Sequence, residues 1–118
     1  GLSHLLAARA GLEVISRVPG MRNLSVLSAG APPPNPQELL GRASFLQLLQ
    51  TLGHSFDVVL VDTPAGNDYA DAEIIASRAG AALLLTRQNE TSLPELQRMA
   101  SRLQDSGVAL VGTVLNAP

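Results

Sequence analysis

The segment Asp57-Val-Val-Leu-Val-Asp62-Thr63-Pro64 places four consecutive aliphatic residues between two carboxylates. Unbroken apolarity of that length predicts a short strand covered on both faces, as in a parallel sheet. Asp62 then falls at the carboxyl tip, the end where open parallel sheets bind ligands. A carboxylate aimed by a rigid strand can place a divalent metal against phosphate oxygens. The plainer alternative is that Asp62 caps the following turn with its own side chain. Two further strand tips carry polar groups. Arg87 follows Ala81-Ala-Leu-Leu-Leu-Thr86 and could meet a phosphate or a base, although a solvated arginine is the commoner case. Asn116 ends Gly112-Thr-Val-Leu-Asn116 and carries donor and acceptor on one side chain; a strand-ending turn residue is the alternative. Asp57, at the opposite end of its run, reads as structural.

These tips need elements to hold them. Residues 2–10 have helical composition, with Gly11 as a stop, and residues 12–19 are ambiguous. Residues 24–28 read as a strand, and residues 31–36, rich in proline, as a stiff loop. A helix should start at Asn35, whose side chain can cap, with Pro36 in the first turn and Glu38 three residues on. Leu39, Leu40, Ala43, Leu46 and Leu49 give it an apolar stripe, and Gly53 should end it. After the strand over 57–62 come a loop to residue 68, a helix over 69–79 and a fully buried strand over 81–86. Ser92 and Glu95 form a capping box for a helix running to Ser106 and closed by Gly107, followed by a strand over 108–115. The alternation implies an α/β fold, a parallel sheet with helices on both faces.

Composition excludes several chemistries. The 118 residues carry eight Lys+Arg against ten Asp+Glu, all eight cations being arginine, which argues against a nucleic-acid binder. Without cysteine there is no thiolate site or disulfide, and two histidines, His4 and His54, are too few for zinc. No G-x-S-x-G motif supports a serine nucleophile. Phe45, Phe56 and Tyr69 are the only aromatics, so the core must be aliphatic, with 21 leucines to draw on. No run is long enough to span a membrane. No signal peptide is visible, and the chain reads as cytoplasmic.

The string from Phe56 to Pro64 resembles the Walker B segment of the MinD/ParA-like deviant P-loop ATPases. Within them it is most similar to the bacterial tyrosine kinases of capsule and exopolysaccharide biosynthesis. Gly1-Leu-Ser-His-Leu-Leu, Leu24-Ser-Val-Leu-Ser-Ala-Gly30, Asn35-Pro36-Gln-Glu38-Leu39-Leu40, Asp71-Ala72 and Gly112-Thr-Val-Leu-Asn116 match that family in order and spacing. The resemblance covers essentially the whole chain. Ala65 departs from it, standing where the family often has a second proline. So does the absence of G-x-x-x-x-G-K-[ST], of any lysine and of a tyrosine cluster. Residues 1–118 are therefore expected to form the C-terminal portion of a P-loop kinase domain, from Walker B onward.

The resemblance implies ATP and Mg²⁺ as cofactors and phosphoryl transfer to tyrosine as the reaction. It implies that Asp62 places Mg²⁺ through water, that Thr63 and Pro64 shape the loop beside the γ-phosphate, and that Asn116 reads the adenine edge, with Arg87 a further nucleotide contact. It also implies regulation of polysaccharide chain length and export through a membrane-anchored chain-length regulator, at the inner face of the cell membrane. The isolated piece is expected to be inactive and to self-associate over its uncovered sheet edge. Two other readings are a nucleotide-switch ATPase of the MinD/ParA kind and a degenerate, non-catalytic α/β interaction domain.

Overall fold

The computed structural model describes residues 2, 15–31, 34–63 and 69–117. The chain divides into two compact units, Gly1–Leu48 and Leu49–Pro118. In the first, β1 (Ser16–Arg17) and β2 (Ser25–Val26) pair antiparallel, Ser16 opposite Val26 and Arg17 opposite Ser25. The turn between them is held by Val18 N–H on the Leu24 carbonyl at 3.1 Å and Met21 N–H on the Val18 carbonyl at 3.0 Å. Two helices follow, α1 (Pro36–Gly41) and α2 (Ala43–Ser55), and the boundary between the units falls inside α2. Leu39, Leu40, Phe45 and Leu48 are buried.

The second unit is built on a parallel pair. Helix α3 (Tyr69–Ala79) leads through Gly80 into β3 (Ala81–Arg87), and α4 (Leu93–Asp105) carries the chain back to β4 (Ala109–Asn116) beside it. Neighbouring parallel strands need such a helical crossover. The sequence marks both ends of α4. At the start, the Glu95 N–H donates to the Ser92 hydroxyl at 3.3 Å and the Ser92 N–H donates to the Glu95 carboxylate at 3.4 Å. At the end, Gly107 (φ +81°) lets its N–H reach the Gln104 carbonyl and the Val108 N–H reach the Leu103 carbonyl, a Schellman closure. Val108 and Leu103 are both buried, and with Ala76 and Leu84 they form the core of this unit. Glu73 joins α3 to α4 by accepting two hydrogen bonds from the Arg102 guanidinium, at 3.3 and 2.8 Å.

The helix over 69–79, the strand beginning at 81, the capping box and the glycine stop stand as expected. Other elements differ, each for a physical reason. Residues 57–62 form no strand among the described residues: they run unpaired, Val58 and Leu60 being 74% and 88% exposed. An aliphatic run becomes an interior strand only with ladder partners on its edges, and the described residues supply none. The strand over 24–28 shrinks to β2 in an antiparallel hairpin, its partner lying in the ambiguous stretch 12–19. The helix from Asn35 is broken at Arg42, whose extended backbone (φ −72°, ψ 154°) separates α1 from α2, and α2 runs through Gly53 to Ser55. Asn35 does not cap by accepting a backbone N–H; its amide donates to the Glu38 carboxylate at 3.0 Å. Nor is β3 buried on both faces: Leu84 and Thr86 are covered, whereas Leu83 and Leu85 are 56% and 71% exposed. The expected helix over 2–10 lies, apart from Leu2, outside the described residues.

Leu103→Ala, which empties the centre of this core, is expected to cost about 2–4 kcal/mol in urea unfolding. Leu93→Ala, at an exposed position, is expected to stay within about 0.5 kcal/mol. Glu38 supplies a pH dependence. Its carboxyl sits below its ordinary value of 4.5 because Asn35 donates to it, and because Arg42 donates to it and attracts it. The folded value being the lower one, the contribution to stability is whole above pH 4.5 and is lost as pH falls through that folded value. A carboxyl-carbon NMR titration should place the Glu38 midpoint below 4.5, and Asn35→Ala should raise it.

Candidate functional site

The register of β3 against β4 assembles one part of the site. Ladder partners run Leu83–Gly112, Leu84–Thr113, Leu85–Val114, Thr86–Leu115 and Arg87–Asn116, after an irregularity at Ala82/Leu83. Paired residues in a parallel ladder share a face. Arg87 and Asn116 are thus side by side at the carboxyl tips of neighbouring strands, on the face opposite the buried Leu84 and Thr86. Both are exposed. Thr86 does not belong to this surface, since it is buried and its hydroxyl donates to the Val114 carbonyl at 3.1 Å, tying the two strands together.

Beyond the tips the chain turns sharply. The Gln88 N–H donates to the Asn116 carbonyl at 2.9 Å, the last rung of the ladder. Asn89 takes the left-handed conformation (φ 66°), which asparagine tolerates better than most residues. The Arg87 guanidinium reaches the Glu90 carboxylate at 3.3 Å, an exposed pair of the kind that contributes about 0–1 kcal/mol and can be displaced by a stronger anion. Glu90 and Thr91, both bonded to Arg87 here, were not legible as site residues; the one signal available was a hydroxyl four positions after a strand-tip cation.

Asp62 lies at the end of the extended run and is exposed, and Thr63 is half-buried. Alternation along this run is visible even without strand pairing. Asp57, Val59 and Val61 line a shallow, mostly apolar cleft of about 230 Å³ with Leu49, Gly53, Phe56 and Ala79. Val58, Leu60 and Asp62 have the opposite parity and are exposed. Asp62 therefore does not line that cleft, which is a gap in packing between the run and the helix ends. Pro64 lies outside the described residues.

The weaker candidates have structural roles. Glu95 belongs to the capping box of α4, and Arg102 pairs with Glu73 of α3. His54 is exposed in the last turn of α2, and Asp71 is half-buried in the first turn of α3. Among the described residues no three His, Cys, Asp or Glu side chains group into a metal cluster. No described helix is long and apolar enough to cross a membrane.

No family model matches the chain. Individual relatives do. Tyrosine-protein kinase ptk of Acinetobacter johnsonii is 36% identical over 116 residues, which is 98% of this chain and 16% of that protein. Tyrosine-protein kinase etk of Escherichia coli K12 is 34% identical over the same coverage of each. Among solved structures, the BceF tyrosine kinase domain superposes with a TM-score of 0.88 at 38% identity, over 99% of this chain and 48% of that one. The kinase domain of the Escherichia coli tyrosine kinase ETK does so with a TM-score of 0.90 at 36% identity, over 99% and 46%. The chain thus spans about half the length of these solved domains and about a sixth of the curated relatives. The fold is that of the corresponding half of these kinase domains, and tyrosine kinases match this chain along nearly its whole length.

Proposed function

We propose that residues 1–118 form the C-terminal portion, from Walker B onward, of an ATP-dependent protein-tyrosine kinase domain. The protein that carries them regulates the chain length and export of an exopolysaccharide or capsule. The observation that carries this reading is the pairing of Arg87 with Asn116 at the tips of parallel strands, in a chain matched along nearly its whole length by tyrosine kinases. In open parallel sheets this is the edge at which ligands bind.

The donor chemistry fits magnesium. That cation keeps most of its waters and takes one or two carboxylates together with substrate phosphates, so a single exposed carboxylate is a sufficient protein contribution. Magnesium, when bound, neutralises charge on the transferring phosphoryl group. Asp62 would hold it through water, and Thr63 and Pro64 would shape the loop beside the γ-phosphate. Asn116 would present donor and acceptor to the adenine edge, with Arg87 beside it on the same face. The phosphate cradle itself is not encoded here, for the chain has neither G-x-x-x-x-G-K-[ST] nor a lysine.

In the kinase, residues 57–62 would become an interior strand once flanking strands are supplied, and Asp62 would then be aimed by its tip. The open sheet face carrying Leu83 and Leu85 would be covered there; in the isolated chain it would be covered by self-association. The acceptor is tyrosine, and the partner is a membrane-anchored chain-length regulator that keeps the kinase at the inner face of the cell membrane.

Titration calorimetry on the 118-residue chain should detect no ATP·Mg²⁺ binding at micromolar concentrations, whereas the intact kinase binds. In the intact kinase, Asp62→Asn should slow phosphoryl transfer about a hundredfold or more. Micromolar binding by the short chain, or an Asp62→Asn variant within twofold of the parent, would contradict the reading.

A further inference from the structure

The turn after β3 is closed by more than the connection requires. Because the Asn116 carbonyl receives the Gln88 N–H at 2.9 Å, the alternation of a parallel ladder turns the neighbouring Arg87 N–H away from β4. That N–H is not left open. It donates to the Thr91 hydroxyl at 3.0 Å. The Thr91 N–H donates back to the Arg87 carbonyl at 3.0 Å, and the Glu90 N–H shares the same carbonyl at 3.1 Å. Thr91 therefore clasps both polar backbone groups of Arg87, on the side of β3 that faces away from Asn116. The Asn89 left-handed conformation brings the chain back far enough to allow this.

We propose that Thr91 is a positioning residue for base recognition: its hydroxyl locks the tip of β3, and through the Gln88–Asn116 rung it holds Arg87 and Asn116 at fixed height on a shared face. This rests on the reading above that the two side chains meet the base of a nucleotide. Position matters at such an edge, because a site built to hydrogen-bond one base rejects another only if its donors and acceptors stay in place. Thr91 is exposed, so its hydroxyl adds little to the core, and replacing it disturbs this turn first. Losing it leaves the Arg87 N–H without its partner and frees the turn to rotate about Asn89. The same clasp occupies the outward-facing groups of Arg87, so a strand added at the outer edge of β3 cannot pair beyond Leu85.

The test uses the intact kinase and equilibrium binding of ATP and GTP, which reads the base edge independently of phosphoryl transfer. Thr91→Val should weaken ATP binding about fivefold and narrow the ATP-to-GTP ratio, with the melting temperature little changed. Thr91→Ser, which keeps the hydroxyl, should restore both, and Thr91→Ala should behave as Thr91→Val. Asn116→Ala should narrow the ratio at least as much, and adding Thr91→Val to it should narrow it no further. If Asn116→Ala narrows the ratio while Thr91→Val and Thr91→Ala match the parent, Thr91 does not position the edge. If Asn116→Ala itself leaves the ratio unchanged, it is the base-reading assignment that fails, and the inference with it.

Discussion

A parallel sheet is ordinarily covered on both faces, and its edges are paired or protected. In the second unit one face is satisfied: Ala76 from α3 and Leu103 from α4 close over Leu84, with Val108 at the entrance to β4. The other face presents Leu83 and Leu85 to solvent, and the aliphatic run 57–62 lies unpaired with Val58 and Leu60 outward. Burial of an aliphatic side chain is worth about 1.5–3 kcal/mol, so these surfaces are a large unrealised stabilisation. The placement of Asp62 depends on that realisation, because a strand aims its terminal side chain only when its own backbone is held. The tips of β3 and β4 do not wait on it. Their ladder, the Thr86 hydroxyl and the turn at 87–91 fix Arg87 and Asn116 already.

What the amino-acid sequence made legible follows the same division. Most local signals were readable where local chemistry decides. The Ser92–Glu95 capping box, the stop at Gly107 and the helix over 69–79 depend on residues a few positions apart. The strands over 81–86 and 108–115 were readable because each finds its partner within the chain. Where the outcome depends on distant partners, the pattern misleads. Four aliphatics in a row describe what residues 58–61 are suited to, not what the described residues provide.

Two local readings also failed, for local reasons. Asn35 was expected to accept a backbone N–H with its amide oxygen; instead its amide NH₂ donates to the Glu38 carboxylate, and the oxygen makes no cap bond. Arg42 then closes the same cluster by bonding Glu38 at 2.8 Å, at the point where the helix breaks. The candidate site was legible only as strand tips: Arg87 and Asn116 were named separately, while their adjacency came from register. Thr91 was hidden because a threonine before a helix cap has no signature apart from the backbone group it meets.

The proposed role of Asp62 needs a carboxylate whose position is fixed by a strand that forms only with its neighbours present. Amide hydrogen exchange across residues 58–61 reads this directly, compared between the 118-residue chain and the full-length protein that carries it. Fast exchange in the short chain with slow exchange in the full-length protein is the predicted result. Equally fast exchange in both would show that no interior strand aims Asp62, and the metal-placing role assigned to that carboxylate would fall with it.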